Sequence, residues 1–218
     1  SFSDNSKNFV NEAVQSKLVI IDHFGGTTFL ELLTLNIPVI IVANSNLFIH
    51  TSKEEGDNVK ILINKKYQYV VIFPGGNWKP KIYPTDCYNK LIFMLNNEFQ
   101  NLRFVIVGSI SEKKLYLDKI KKDLPKDIFI DLMGKTLTYT SAYMKKSKLF
   151  IGNDSGLMHL SVASGLTTIG LFGPTNDKIY GHHSSKSFVI RTRDTYESIV
   201  KKPIDSEKSY MLSIKPEE

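Results

Sequence analysis

Residues 147–177, SKLFIGNDSGLMHLSVASGLTTIGLFGPTND, constrain the fold more than any other stretch of the chain. An apolar run ends in the turn Asn153-Asp154-Ser155-Gly156, and a short amphipathic segment follows. A second apolar run then closes on Gly173-Pro174-Thr175. Strand, polar turn, helix, strand and loop in that order make a βαβ unit of a parallel sheet. Ligands of such sheets sit outside the carboxyl ends of the strands, which is where both polar turns fall. This unit marks the active end of the molecule.

The same wiring extends upstream. Tyr69–Phe73, Arg103–Val107 and Ile128–Asp131 read as strands. Helices are expected from a cap at Thr85 or Asp86 to Phe99, from Ser111 to Lys122 and from Thr138 to Lys146. The order βαβαβαβαβ from residue 69 onward predicts an α/β fold, a Rossmann-like, doubly wound parallel sheet. The tail from His182 reads as one strand, Ser187–Arg191, and then irregular structure.

The N-terminal region repeats the theme on a smaller scale. Residues 17–22 and Pro38–Ala43 read as strands around a short helix, Thr27–Leu35. SKLVIIDHFGGTTFLELLTLNIPVII lies over SKLFIGNDSGLMHLSVASGLTTIGLF at an offset of about 130 residues. The likeness is either the apolar pattern that any two βαβ units share or the mark of common ancestry, to which the shared SKL and the glycine-bearing turn point. Residues 44–66 are polar, centred on Lys53-Glu54-Glu55-Gly56-Asp57, and form the expected linker. Two units follow: a partial strand-helix-strand fragment with its linker over 1–60, and a ligand-binding domain over 61–218. Pro216 followed by two glutamates has the form of a helix start, so the sequence is expected to be truncated there.

Composition narrows the class. With 42% hydrophobic and 23% charged residues the chain is an ordinary globular one. No apolar run reaches the roughly 18–20 residues of a membrane span, and no signal peptide opens the sequence. The lone Cys87 fits a reducing compartment, so a cytoplasmic location is expected. A net charge of +6 raises the question of nucleic acid. The lysines, however, are scattered as pairs without a recognition helix or aromatic signature, and no nucleic-acid partner is expected. They suit either a solvated surface or attraction to anionic lipid and phosphate ligands.

The helix opening at Gly156 offers free backbone N–H groups and a positive dipole end, sufficient to hold a phosphate. Ser155 adds a hydroxyl, and Gly156 removes a side chain that would stand in the way. Asp154 either caps the helix or accepts hydrogen bonds from a sugar hydroxyl. His159 shares a helix face with Ser155 and is either packed or in contact with a ligand. In PGGNWKPKIYP, Gly75 and Gly76 let the backbone approach a ligand, and Lys79 or Lys81 is placed to reach a phosphate. Gly134-Lys135-Thr136 is not a P-loop, because residue 129 is Phe129 rather than glycine. No G-x-G-x-x-G occurs, a Ser–His–Asp triad lacks its elbow, and His182-His183 lacks spaced zinc-ligating partners.

Together these motifs resemble the C-terminal domain of glycosyltransferase family nine, the ADP-heptose:lipopolysaccharide heptosyltransferases. The resemblance rests on Asp154-Ser155-Gly156 with His159, Ala163 and Thr168, followed by Phe172-Gly173-Pro174-Thr175. Lys81-Ile82-Tyr83-Pro84 matches a K-x-W-P segment with tyrosine for tryptophan, Gly108 pairs with Glu112, and Gly134–Thr138 lacks the family's glutamate. The approach to the last helix is YMLSIKPEE. Thr168 stands one place early.

The resemblance implies the C-terminal half of a GT-B glycosyltransferase, metal-independent and inverting, that moves a heptose or related sugar from an ADP-sugar. The acceptor would be lipopolysaccharide core or another lipid-linked molecule, with peripheral contact at the inner membrane. Lys81 would stabilise the departing ADP. Ser155 and Gly156 would hold the phosphates, Glu112 the ribose or base, and the backbone around Lys135 the adenine. Asp154 and His159 would lie near the sugar–phosphate junction, with Gly75 and Gly108 in the loops beside them. The general base would come from an acceptor-binding domain outside this chain. Residues 1–60 resemble the tail of another GT-B domain, and the alternative is a nucleotide-sugar binding module without turnover.

Overall fold

A computed structural model of the chain describes residues 63–182 and 185–217, and the backbone of 19–21 and 39–41. The chain divides into two compact units, Ser1–His50 and Thr51–Glu218. In the first, strands β1 (Val19–Ile21) and β2 (Val39–Ile41) pair in parallel, with Val19 opposite Val39. Both carry the triplet Val-Ile-Ile, the β-branched material such strands require. The helix expected at Thr27–Leu35, and most of the expected linker, lie outside the described residues.

The second unit is built on six strands: β3 (Gln68–Phe73), β4 (Leu102–Ile106), β5 (Phe129–Asp131), β6 (Leu149–Asn153), β7 (Thr167–Phe172) and β8 (Ser187–Arg191). All neighbours pair in parallel, in the order β5-β4-β3-β6-β7-β8. This is the Rossmann order, in which the chain builds outward from β3 in one direction and then returns to build in the other. The reversal falls between β3 and β6, whose register runs from Val70 opposite Leu149 to Phe73 opposite Gly152.

Helices cover both faces because successive strand residues point to opposite sides. On one face Val70, Ile72, Phe104, Ile106 and Ile151 pack against Tyr88 and Ile92 of α1 (Thr85–Glu98) and Leu117 and Ile120 of α2 (Ile110–Lys121). On the other, Tyr69, Val71, Phe73, Val105 and Phe150 meet Tyr143 and Met144 of α3 (Leu137–Met144) and Met158 and Leu160 of α4 (Gly156–Ala163). Strands buried on both sides explain the unbroken apolar runs in the sequence. Two four-residue helices complete the unit, α5 (Asp177–Tyr180) and α6 (Tyr196–Ile199). Among the described residues no helix is long and apolar enough to cross a membrane.

Helix starts differ from the expected ones. Neither Thr85 nor Asp86 caps α1, whose N-cap is Pro84 without a side-chain bond. Proline fixes the turn there and its carbonyl accepts from Cys87 and Tyr88 N–H. Helix α2 begins earlier than Ser111, because Ser109 and Glu112 close a reciprocal capping box. The tail is not wholly irregular, since α6 is capped by Thr195.

Candidate functional site

The reversal in strand order leaves a crevice at the carboxyl ends of β3 and β6, the position where open parallel sheets bind ligands. Two loops border it. The one after β3 runs through Pro74-Gly75-Gly76 to a single 3-10 turn, Lys79–Lys81, which starts with a proline in its first turn. The one after β6 is the two-residue turn Asp154-Ser155, which feeds α4.

Lys81 and Asp154 meet across this crevice. The Lys81 ammonium lies 3.7 Å from Oδ2 of Asp154, with side chains 22% and 7% exposed. Asp154 does not cap the helix. Ser155 does so, its hydroxyl accepting the Met158 N–H at 3.4 Å. A Cβ at Gly156 would meet nothing within 4 Å, so the first turn of α4 faces open space. Nothing inside the chain requires glycine there, which suits a surface kept clear for a ligand.

His159, one turn further along α4, is half-buried, and its Nδ1 stands 2.7 Å from Nε2 of His182. The rings meet edge to face with centroids 4.9 Å apart. Burial first, and then the His182 imidazole, hold the His159 pKa below the ordinary 6.5; Asp154 pulls it up and Lys81 pushes it down. The native state therefore favours the neutral ring, while the unfolded chain takes up a proton as pH falls below 6.5. Stability from this site is full above that value and is lost as pH drops through it. The thermal midpoint of the His159→Gln variant, followed from about pH 8 to about pH 5, is expected to fall less steeply than that of the natural chain.

A second group of expected residues clusters at the ends of β3 and β4. Oε1 of Glu112 accepts the Gly76 N–H at 2.7 Å, and Oε2 accepts from the Ser109 N–H at 2.7 Å and its hydroxyl at 2.8 Å. Glu112 is thus half of a helix cap and also a tie between two loops; a carboxylate retains lone pairs for further donors. Gly75 and Gly108 give it room: a Cβ at Gly75 would stand 2.1 Å from Oε1, and one at Gly108 3.0 Å from Oε2. Gly134 N–H donates to the Gly108 carbonyl at 2.7 Å, which brings the exposed Lys135 loop alongside. The Lys135 ammonium lies 5.8 Å from the Tyr139 ring centroid.

The structure thus brings Lys81, Asp154, Ser155, Gly156 and His159 to one loop pair and Gly75, Gly108, Glu112 and Lys135 to the neighbouring loops. Lys79 points elsewhere, paired with Glu207 at 3.5 Å. Sequence reasoning missed Asn153, Ser109 and Arg191. Ser109 was findable from S-x-x-E at 109–112; Asn153 had only its place as a polar residue ending an apolar strand.

Arg191, the last residue of β8, organises the loop after β7. Its guanidinium donates to the carbonyls of Gly173 at 2.8 Å, Thr175 at 3.4 Å and Asp194 at 3.0 Å, and pairs with Asp177. The Gly173-Pro174-Thr175 segment is therefore held by a fork from the edge strand. Among the described residues no group of three or more His, Cys, Asp or Glu side chains is gathered as a metal site.

Two family models match the chain. The family model described as glycosyltransferase family 9 (heptosyltransferase) matches residues 42–211, and one described as LIC12162 family transferase matches residues 1–62. The chain is 31% identical over 123 residues to lipooligosaccharide heptosyltransferase 2 of Haemophilus influenzae, covering 54% of this chain and 35% of that protein. It is 28% identical over 118 residues to lipopolysaccharide heptosyltransferase 1 of Campylobacter coli, covering 53% and 34%. The chain thus spans about a third of the length of these curated relatives.

Solved structures share the fold. A family 9 glycosyltransferase from Veillonella parvula matches at TM-score 0.65 and 19% identity, over 100% of this chain and 77% of that one. The E. coli ADP-heptose heptosyltransferase II matches at 0.61 and 17%, over 97% and 77%. With the family model matching residues 42–211, well over half of the sequence, the chain belongs to glycosyltransferase family 9.

Proposed function

We propose that residues 61–218 are the donor-binding half of a heptosyltransferase-type enzyme, which takes a heptose or related sugar from an ADP-sugar. The observation that carries this reading is the cation of Lys81 beside the open first turn of α4, at the reversal of the sheet. A diphosphate seated there receives backbone N–H groups and a helix dipole from one side and an ammonium from the other. The structure of E. coli heptosyltransferase WaaC holds ADP-2-deoxy-2-fluoro heptose, which supports the choice of donor.

In the reaction, an acceptor hydroxyl oxygen attacks the anomeric carbon as the bond to the β-phosphate oxygen breaks, inverting that carbon. The electron pair leaves with ADP, and Lys81 with the α4 amides stabilises the charge that develops there. On this reading the stabilising charge is the protein's own and no metal is needed. The proton of the acceptor goes to a base on the acceptor-binding half, outside residues 61–218. Residues 1–60 belong to another transferase domain, a view supported by the separate model match over 1–62. The acceptor is lipopolysaccharide core or another lipid-linked sugar, met at the cytoplasmic face of the inner membrane. The names of the curated relatives support that acceptor class.

Calorimetry on the chain with ADP and ADP-heptose tests the reading. Saturable binding of both is expected, with no requirement for added divalent cation. Absence of ADP binding would overturn it.

A further inference from the structure

Asn153 closes β6, immediately before Asp154, and its side chain is fully buried. A buried amide brings two donors and an acceptor oxygen that must all be satisfied. Here they are satisfied by residues of another part of the chain. Nδ2 donates to the carbonyls of Pro74 at 3.2 Å and Gly75 at 2.8 Å. Oδ1 accepts the Tyr83 N–H at 3.1 Å and faces the Tyr88 hydroxyl at 3.1 Å. That hydroxyl divides its single proton between Asn153 and the Phe73 carbonyl at 3.0 Å.

Pro74-Gly75 and Tyr83 are the entry and exit of the loop that carries Lys81. One amide therefore grips both ends of that loop from the strand end that leads directly into Asp154. The sheet does not need this device, because β3 and β6 are already in register through their backbone ladder. Nor is the grip the cap of α4, a role that Ser155 fills.

We propose that Asn153 is a positioning residue of the donor site: by holding residues 74–83 at both ends, it fixes where Lys81 stands relative to Asp154 and to the diphosphate. The proposal rests on the donor-site reading above. It makes a chemical demand that no other side chain of the same size meets. An aspartate carboxylate in this place would turn an acceptor towards the Pro74 and Gly75 carbonyls, where donors are required. A protonated aspartic acid would restore one donor.

The test is ADP binding to the whole chain, by calorimetry, for the natural protein, Asn153→Asp, Asn153→Ala, Lys81→Ala and the Asn153→Ala/Lys81→Ala pair. Asn153→Asp is expected to bind ADP roughly tenfold more weakly at neutral pH, the scale of one lost contact. It should recover towards the natural affinity as pH is lowered to about 5, a profile that the natural chain does not share. In the double variant the Asn153 change should add little to the loss from Lys81→Ala, because both act through one cation.

If the natural chain binds no ADP, the donor-site reading falls and the proposal falls with it. If it binds while Asn153→Asp and Asn153→Ala bind equally well, only the positioning role is overturned. Fully additive losses would overturn it too. Circular dichroism checks that each variant is folded. Should Asn153→Ala fail to fold, the pH profile of the isosteric Asn153→Asp decides: recovery at low pH supports the proposal and a flat profile overturns it.

Discussion

Replacing Lys81 by alanine is expected to weaken ADP binding more than tenfold and, in a form of the protein that carries out transfer, to lower turnover by roughly 10²–10³-fold. Two effects act together. Under the donor-site proposal, the ammonium no longer meets the diphosphate, whose charge grows as the glycosidic bond breaks. In addition, Asp154 loses the cation 3.7 Å away and is left as a carboxylate only 7% exposed, facing an incoming anion. An uncompensated buried charge costs more than a surface ion pair ever contributes. The second effect can be isolated. In Lys81→Ala/Asp154→Asn the repulsion is gone, so ADP should bind more tightly than to Lys81→Ala alone. Calorimetry of the two variants side by side checks this, and equal affinities would leave Asp154 without an electrostatic part.

Arg191→Met is expected to produce the largest loss of stability, about 3 kcal/mol, or roughly 6–12 °C in Tm for a domain of this size. The guanidinium and the Asp177 carboxylate are each 19% exposed, and the fork also serves the Gly173, Thr175 and Asp194 carbonyls. Methionine fills the volume but donates nothing, so the part-buried Gly173 and Thr175 carbonyls lose a shared donor. Lysine should rescue little, because a single ammonium cannot span three carbonyls that a planar fork reaches at once. Thermal unfolding followed by circular dichroism measures both variants. A loss under about 1 kcal/mol for Arg191→Met would place this arginine among the surface pairs instead.

How far the sequence announced this molecule differs between its parts. The strands of the parallel sheet were legible because burial on both faces leaves continuous apolar runs. Ser187–Arg191 was expected and found as such, and Tyr69–Phe73 gained only Gln68. The residues that assemble at the carboxyl ends were visible as motifs, because glycines, a turn and a lysine-bearing loop each have local signatures. Helix caps were less so. Between residues 109 and 112 two serines compete for the same role, and only the reciprocal bond from Glu112 decides for Ser109. Helices α5 and α6, of four residues each, are too short to display a period.

The least legible residues are those whose work is entirely long-range. Asn153 looked like the first residue of a polar turn, whereas it is the buried end of a strand. Its partners lie 65 to 79 residues away in sequence, and no local pattern encodes them. Burial, with Tyr83 beside it, also pushes the Tyr88 hydroxyl well above its usual 10.0, so that it keeps its proton for this network at any working pH.

The close approach of Gly75 to Glu112 has a consequence for redesign. A Cβ at position 75 would fall 2.1 Å from Oε1 of Glu112, so a side chain there requires that carboxylate, itself bonded to Gly76 and Ser109, to swing away. A change at 112 opens the position at the cost of the Glu112 half of the α2 capping box, while the Ser109 hydroxyl still accepts the N–H of residue 112. The two positions are therefore coupled, and under the donor-site proposal efforts to reshape donor preference here begin with the glutamate.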